Sequence, residues 1–113
     1  SKASQKKLTE KAVQSACMDI LERHPRVAFW WRQNTGAVKL EGAGGKHRYV
    51  RFSFKGASDL MAVLVGGKFL AVECKATGKE PSDDQRAFLR RCNEAHAYGI
   101  WVDDPQQLIE YLS

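Results

Sequence analysis

No apolar run in this chain approaches the length a membrane span needs, and the first residues carry no signal-peptide pattern, so the expected setting is cytosolic. Cysteine is scarce. Cys17, Cys74 and Cys92 are odd in number and scattered, without C-x-x-C or Cys/His ligand spacing, which argues against a disulfide framework or a zinc site. They read as reduced, mostly buried thiols. His24, His47 and His96 form no pair at helical spacing, so no histidine constellation offers itself for catalysis. There is no internal repeat and no linker. The 113 residues suffice for one hydrophobic core but not two, and the chain reads as a single domain, 1–113. With 43% hydrophobic and 27% charged residues, disordered and fibrous classes drop out.

What the chain has in excess is positive charge: 18 Lys and Arg against 13 Asp and Glu, a net of +5. A basic surplus on a small domain favours a polyanionic partner. Its distribution sharpens the point. Lys39, Lys46, His47, Arg48, Arg51 and Lys55 fall close together, and Lys46, Arg48 and Arg51 are candidates for phosphate contact, against the plainer reading of a solvated face.

Hydrophobic periodicity gives the order of elements. Leu8, Val13, Cys17, Ile20 and Leu21 recur at helical spacing, with Ser4 available as a cap and Pro25 as a stop. Val27 to Arg32 is aromatic and β-branched, and Asn34-Thr35-Gly36 supplies a turn. Trp30 and Trp31 alternate faces, so one belongs to the core and the other is partly exposed, at a dimer interface or stacking on nucleic acid. A short strand at Ala37 to Glu41, a Gly-rich loop and an alternating strand from Arg48 to Phe54 follow. Ser58 to Val65 and Phe69 to Lys75 read as a buried hairpin around Gly66-Gly67. Ser82 and Gln85 fit a capping box at the head of a helix that Gly99 closes; Ile100 to Val102 is a strand, and Asp104-Pro105 caps a last helix. The expected architecture is α/β, a central mixed sheet flanked by helices.

One stretch resists a purely structural reading. Phe69-Leu70-Ala71-Val72 is apolar, yet it runs into Glu73 and Lys75, which project together from one side of the strand. An ion pair at a strand edge is the plain explanation. Asp59, at the head of the preceding strand, arrives at the same end of the sheet. Two carboxylates with a lysine beside them are what a hard divalent cation and a phosphodiester require, with the backbone carbonyl of Cys74 as a further oxygen ligand. Register decides whether they meet. A two-residue turn sends Asp59 and Glu73 to opposite faces, so the expectation is an odd-length loop or a bulge, which sets them side by side.

Gly56-Ala57-Ser58-Asp59-Leu60 followed by Glu73-Cys74-Lys75 resembles the PD-(D/E)XK nuclease signature, with Ser58 where the superfamily usually carries Pro. Glu10 with Gln14, the aromatic strand into Asn34-Thr35-Gly36, Gln85 and Tyr98-Gly99 extend the likeness from about Thr9 to Val102. In this order and spacing they resemble the virus-type replication-repair nuclease (VRR-NUC) domain. The resemblance implies a restriction-endonuclease-like core and Mg²⁺- or Mn²⁺-dependent hydrolysis of DNA phosphodiesters. In it Asp59, Glu73 and the Cys74 carbonyl hold the metal, Glu10 approaches directly or through water, Lys75 orients the attacking water and Gln85 lines the site. For a compact single-domain member it also implies a homodimer acting on branched DNA such as Holliday junctions, in a phage or bacterial cytoplasm; for a domain embedded in a large eukaryotic repair protein it implies a monomer in a nucleus. Glu10 as one more solvated charge and Gln85 as a capping residue remain the plain alternatives. A catalytically idle nucleic-acid-binding module is the rival function. It gains little from two carboxylates facing a polyanion unless a metal neutralises them.

Overall fold

The computed structural model describes residues 6–33, 37–41, 43–45, 47–51 and 54–113, with the backbone alone at 37–41, 43 and 47–51. Helix α1 spans Glu10–Arg23 and buries Val13, Cys17 and Leu21, one residue per turn, on a single stripe. Thr9 caps it, its side chain accepting from the Ala12 N–H at 3.1 Å. The expected cap, Ser4, lies outside the described residues. The helix starts later because the preceding segment is tied elsewhere: the Leu8 N–H donates to Thr77 Oγ1 at 2.9 Å, and the Thr77 N–H donates to the Leu8 carbonyl at 3.0 Å. At the other end His24 and Pro25 stop it, as expected.

Strands β1 (Val27–Arg32), β4 (Leu60–Leu64), β5 (Phe69–Cys74) and β6 (Tyr98–Val102) form one mixed sheet in the order β1-β4-β5-β6. The first three are antiparallel neighbours and β6 joins parallel to β5, with helix α2 (Asp83–Glu94) as the crossover. Strands β2 (Ala37–Glu41) and β3 (His47–Arg51) pair with each other as a separate antiparallel ribbon. The Arg48 to Phe54 strand foreseen in the sequence is therefore shorter at its far end: Phe54 lies outside β3, its ring 6.4 Å from that of Phe88.

The two faces of the sheet carry two cores. Leu60, Ala62, Leu64, Leu70, Val72 and Cys74 point towards α1 and helix α3 (Pro105–Leu112), where they meet Val13, Cys17, Leu21, Leu108 and Leu112. Met61 and Ala71 point the other way, under Leu89 of α2. Each large aliphatic side chain so buried contributes about 1.5–3 kcal/mol. Because β5 is covered on both faces, it reads in sequence as a continuous apolar run.

Ser82 and Gln85 close the capping box of α2 as expected. The helix ends at Glu94, and His96, with φ of 65°, turns the chain left-handed. Gly99 does not close the helix. It sits in β6 because a Cβ there would lie 2.7 Å from the Leu89 carbonyl oxygen, so only glycine lets α2 lie so close to the strand.

Candidate active site

The β4–β5 register answers the question left by the sequence. Leu60 pairs with Val72 and Val63 with Phe69, so Val65-Gly66-Gly67 form a three-residue loop, closed by the Gly67 N–H donating to the Leu64 carbonyl at 2.8 Å. One step beyond Leu60 and Val72, Asp59 and Glu73 come side by side on the α2 face of the sheet. The odd-length loop is the expected one.

Asp59 is held from three directions. Its Oδ2 accepts the Cys74 N–H at 3.0 Å, and its carbonyl accepts the Gln33 N–H at 2.8 Å. Upstream, Gly56 presses against the first turn of α2: with φ of 78°, a Cβ on it would lie 2.4 Å from the Asp84 carbonyl carbon. The glycine of the G-x-S-D motif thus lets the loop dock on α2 and fixes where Asp59 begins its strand.

Glu73 is 1% exposed. Its Oε2 lies 3.6 Å from Lys75 Nζ, while Oε1 is buried with no hydrogen-bond partner. Burial, first, and then the neighbouring Asp59 carboxylate push the Glu73 carboxyl up to about 8, against the opposing pull of Lys75. Lys75, its side chain 15% exposed, also reaches Glu10 Oε1 at 3.9 Å. Glu10 is the first residue of α1, and the Leu8–Thr77 pair fixes that helix end to the exit of β5. Deeper in, the buried thiols of Cys17 on α1 and Cys74 on β5 are neighbours, and the Cys17 thiol and then burial push the Cys74 thiol up.

Asp59, Glu73, Lys75 and Glu10 are therefore brought together. Gln85 takes the other course open to it. Its Oε1 accepts the Ser82 N–H at 2.8 Å, and among the described residues it bonds to none of those four. Lys46 lies outside the described residues, as do the side chains of Arg48 and Arg51 on β3. Two supporting residues escaped the sequence reading. Gln33 was visible only as part of the aromatic strand's exit, and Thr77 only as a polar residue before Gly78.

The donor set fits a hard cation incompletely coordinated by protein. A buried carboxylate oxygen without a partner, beside a second carboxylate, asks for positive charge. Among the described residues no three His, Cys, Asp or Glu side chains form a ready cation cage. Magnesium, which keeps several waters and takes one or two carboxylates, does not need one.

The VRR-NUC domain family model matches residues 8–102 of the chain. The chain belongs to the VRR-NUC family. Its four-stranded mixed sheet between helices is the restriction-endonuclease-like arrangement of that nuclease family, and the four clustered residues all fall inside the matched segment. No curated protein sequence and no solved structure matches the chain.

Proposed function

We propose that this VRR-NUC domain is a metal-dependent, structure-selective DNA endonuclease that cuts branched DNA such as Holliday junctions, working as a homodimer. The observation that carries the catalytic part is the buried Glu73 beside the half-buried Asp59, with Lys75 Nζ 3.6 Å from Glu73 Oε2. Asp59, Glu73 and the Cys74 carbonyl would hold Mg²⁺ or Mn²⁺, which supplies Lewis-acid charge to the scissile phosphate. The Cys74 N–H faces Asp59, and in a strand a residue's carbonyl points to the same edge as its N–H.

Lys75 has two tasks. Its ammonium orients the attacking water, whose oxygen bonds to phosphorus as one P–O ester bond breaks. The electron pair of that bond leaves on the ester oxygen, which takes up a proton as the water gives one to solvent. The ammonium also offsets the charge that gathers on the phosphate oxygens. Glu10 holds Lys75 from the far side and keeps it aimed, and it would approach the metal directly or through water. Gln85 contributes by setting the start of α2 beside the site. The net charge of +5 favours the polyanion, with Lys46, Arg48 and Arg51 as phosphate contacts. The setting is the cytoplasm of a phage host or bacterium, or a nucleus for a eukaryotic domain.

Cleavage of a four-way junction, a flap and a linear duplex in Mg²⁺, Mn²⁺ or EDTA tests this, with Asp59→Ala and Lys75→Ala beside the parent. The expected result is junction cutting in either metal, none in EDTA, and a loss of at least about 100-fold in both variants. Cleavage in EDTA, or full activity in both variants, overturns it.

A further inference from the structure

The face of the sheet that holds the carboxylates continues away from them as a row of rings. On β1, Phe29 and Trp31 share this face, with Phe29 opposite Val63 and Trp31 opposite Met61, and Gln33 follows just past the strand's end. The Phe29 and Trp31 rings lie 6.2 Å apart and within 22° of parallel, and Phe69 of β5 continues the row at 6.2 Å from Trp31. Helix α2 covers the face over β5 and β6 but leaves β1 open, so Phe29 is 58% and Trp31 39% exposed. Two adjacent aromatics left in water beside inner strands that are packed on both sides call for a ligand.

The row is physically continuous with the site. Trp31 Nε1 donates to Gln33 Oε1 at 3.0 Å, and the Gln33 N–H donates to the Asp59 carbonyl at 2.8 Å. The indole is thus anchored through one residue to the backbone of Asp59, a member of the candidate catalytic pair. A phosphodiester lying at Asp59 and Glu73 would have its neighbouring nucleotides over these rings.

We propose that Phe29 and Trp31, with Phe69 behind them, are a stacking platform for unpaired bases next to the scissile phosphodiester. This rests on the nuclease reading above and narrows its substrate to DNA with single-stranded or splayed segments. Bases in a continuous duplex already stack on each other, whereas a base released at a junction or flap has a free face for an aromatic ring. A second copy of the chain is the competing occupant. At full-ring areas of ~150–250 Å², the exposed parts of Phe29 and Trp31 come to roughly 200 Å², about a quarter of the ~800 Å² per partner that a stable interface uses. The basic surplus adds attraction for a polyanion that an apolar self-contact would not use.

Fluorescence anisotropy with a labelled twelve-nucleotide oligothymidine and a blunt duplex, both in EDTA so that cleavage does not intervene, tests the platform on the full chain. Phe29→Ala and Trp31→Ala are expected to weaken oligothymidine binding roughly 5- to 100-fold each and duplex binding less than 3-fold, with Trp31→Phe restoring most of the loss. Far-UV circular dichroism checks that each variant is folded, and quenching of parent tryptophan emission by unlabelled oligothymidine gives a readout without mutation. Oligothymidine binding within 2-fold of the parent in both alanine variants overturns the proposal. So does a parent dimer in sedimentation that the double alanine variant converts to monomers with binding per chain unchanged. Metal-dependent cleavage by the parent, run in parallel, separates the two readings. A parent that binds oligothymidine through the rings but never cuts refutes the nuclease reading alone, and one that cuts while its ring variants bind normally refutes the platform alone.

Discussion

Asp59 Oδ2 accepts the backbone N–H of Cys74 at 3.0 Å, so the carboxylate that leads one strand is clamped by the strand beside it. The clamp holds two acidic side chains against each other, at a cost in stability that Lys75 offsets in part and a bound cation or proton offsets further. Asp59→Asn keeps the shape and removes one charge. In EDTA it is expected to unfold at the same or a higher temperature than the parent, by up to about 2 kcal/mol of added stability, while losing at least about 100-fold in cleavage. A variant less stable than the parent by calorimetry would mean that the Asp59 charge is satisfied by the protein itself.

Protonation of Glu73 gives stability a defined pH dependence. Its carboxyl is raised from 4.5 to about 8 by burial and by Asp59, so between those values the folded chain holds a proton that the unfolded chain releases. The contribution is complete below 4.5 and disappears as pH rises through 8, a change on the order of 4 kcal/mol. Urea unfolding in EDTA from pH 5 to 8.5 should show this decline in the parent and not in Glu73→Gln, the difference between the two curves isolating the one group. Added Mg²⁺ or Mn²⁺ should stabilise the parent more at pH 8 than at pH 6, because a cation must displace the proton. The same cation should leave Glu73→Gln nearly unmoved.

Two glycines with similar backbone angles separate packing from conformation. Gly56 and Gly78 have φ of 78° and 85°, but a Cβ on Gly56 meets the Asp84 backbone at 2.4 Å while one on Gly78 meets nothing within 4 Å. Gly78→Ala is expected to cost about 1 kcal/mol, the ordinary penalty for a left-handed alanine. Gly56→Ala must push α2 away from the loop that leads to Asp59, and is expected to cost about 3 kcal/mol or more and to lower cleavage beyond what its lost stability explains. Equal melting temperatures for the two variants would remove the role assigned to Gly56.

The parts of this molecule legible in the sequence are those governed by local pattern. The α1 stripe of Val13, Cys17 and Leu21, the Ser82–Gln85 capping box and the buried run of β5 each follow from periodicity or side-chain chemistry over a few residues. The pairing of Asp59 with Glu73 was legible only as a condition on loop length, because a one-residue slip flips every side chain and Gly66-Gly67 alone permits either register. What escaped was set by contacts distant in sequence. Thr77 overrides Ser4 in fixing where α1 begins, and the approach of Leu89 explains Gly99 better than any helix-ending role. Of the open rings of β1, one partly exposed tryptophan was foreseen in the sequence, at a dimer interface or stacking on nucleic acid, without a choice between Trp30 and Trp31. Which tryptophan is exposed followed once α1 claimed Trp30 through Glu22, whose Oε1 accepts the indole N–H at 2.8 Å.

The outer strand β6 carries its own protection against pairing with another chain. Asn93, in the last turn of α2, grips the outer edge at Gly99: its Oδ1 accepts the Gly99 N–H at 2.9 Å and its Nδ2 donates to the Gly99 carbonyl at 3.0 Å, the two bonds a further strand would make. Asn93→Ala removes both and leaves an open edge. The expected outcome is a loss of about 1–3 kcal/mol in urea unfolding, together with concentration-dependent association that sedimentation detects in the variant beyond any seen in the parent. Metal-dependent cleavage per folded chain should stay within 2-fold of the parent, since the Asn93 bonds lie on the outer side of β6, away from Asp59 and Glu73. Loss of cleavage in a variant that remains folded and no more associated than the parent would show instead that the α2–β6 contact positions the site.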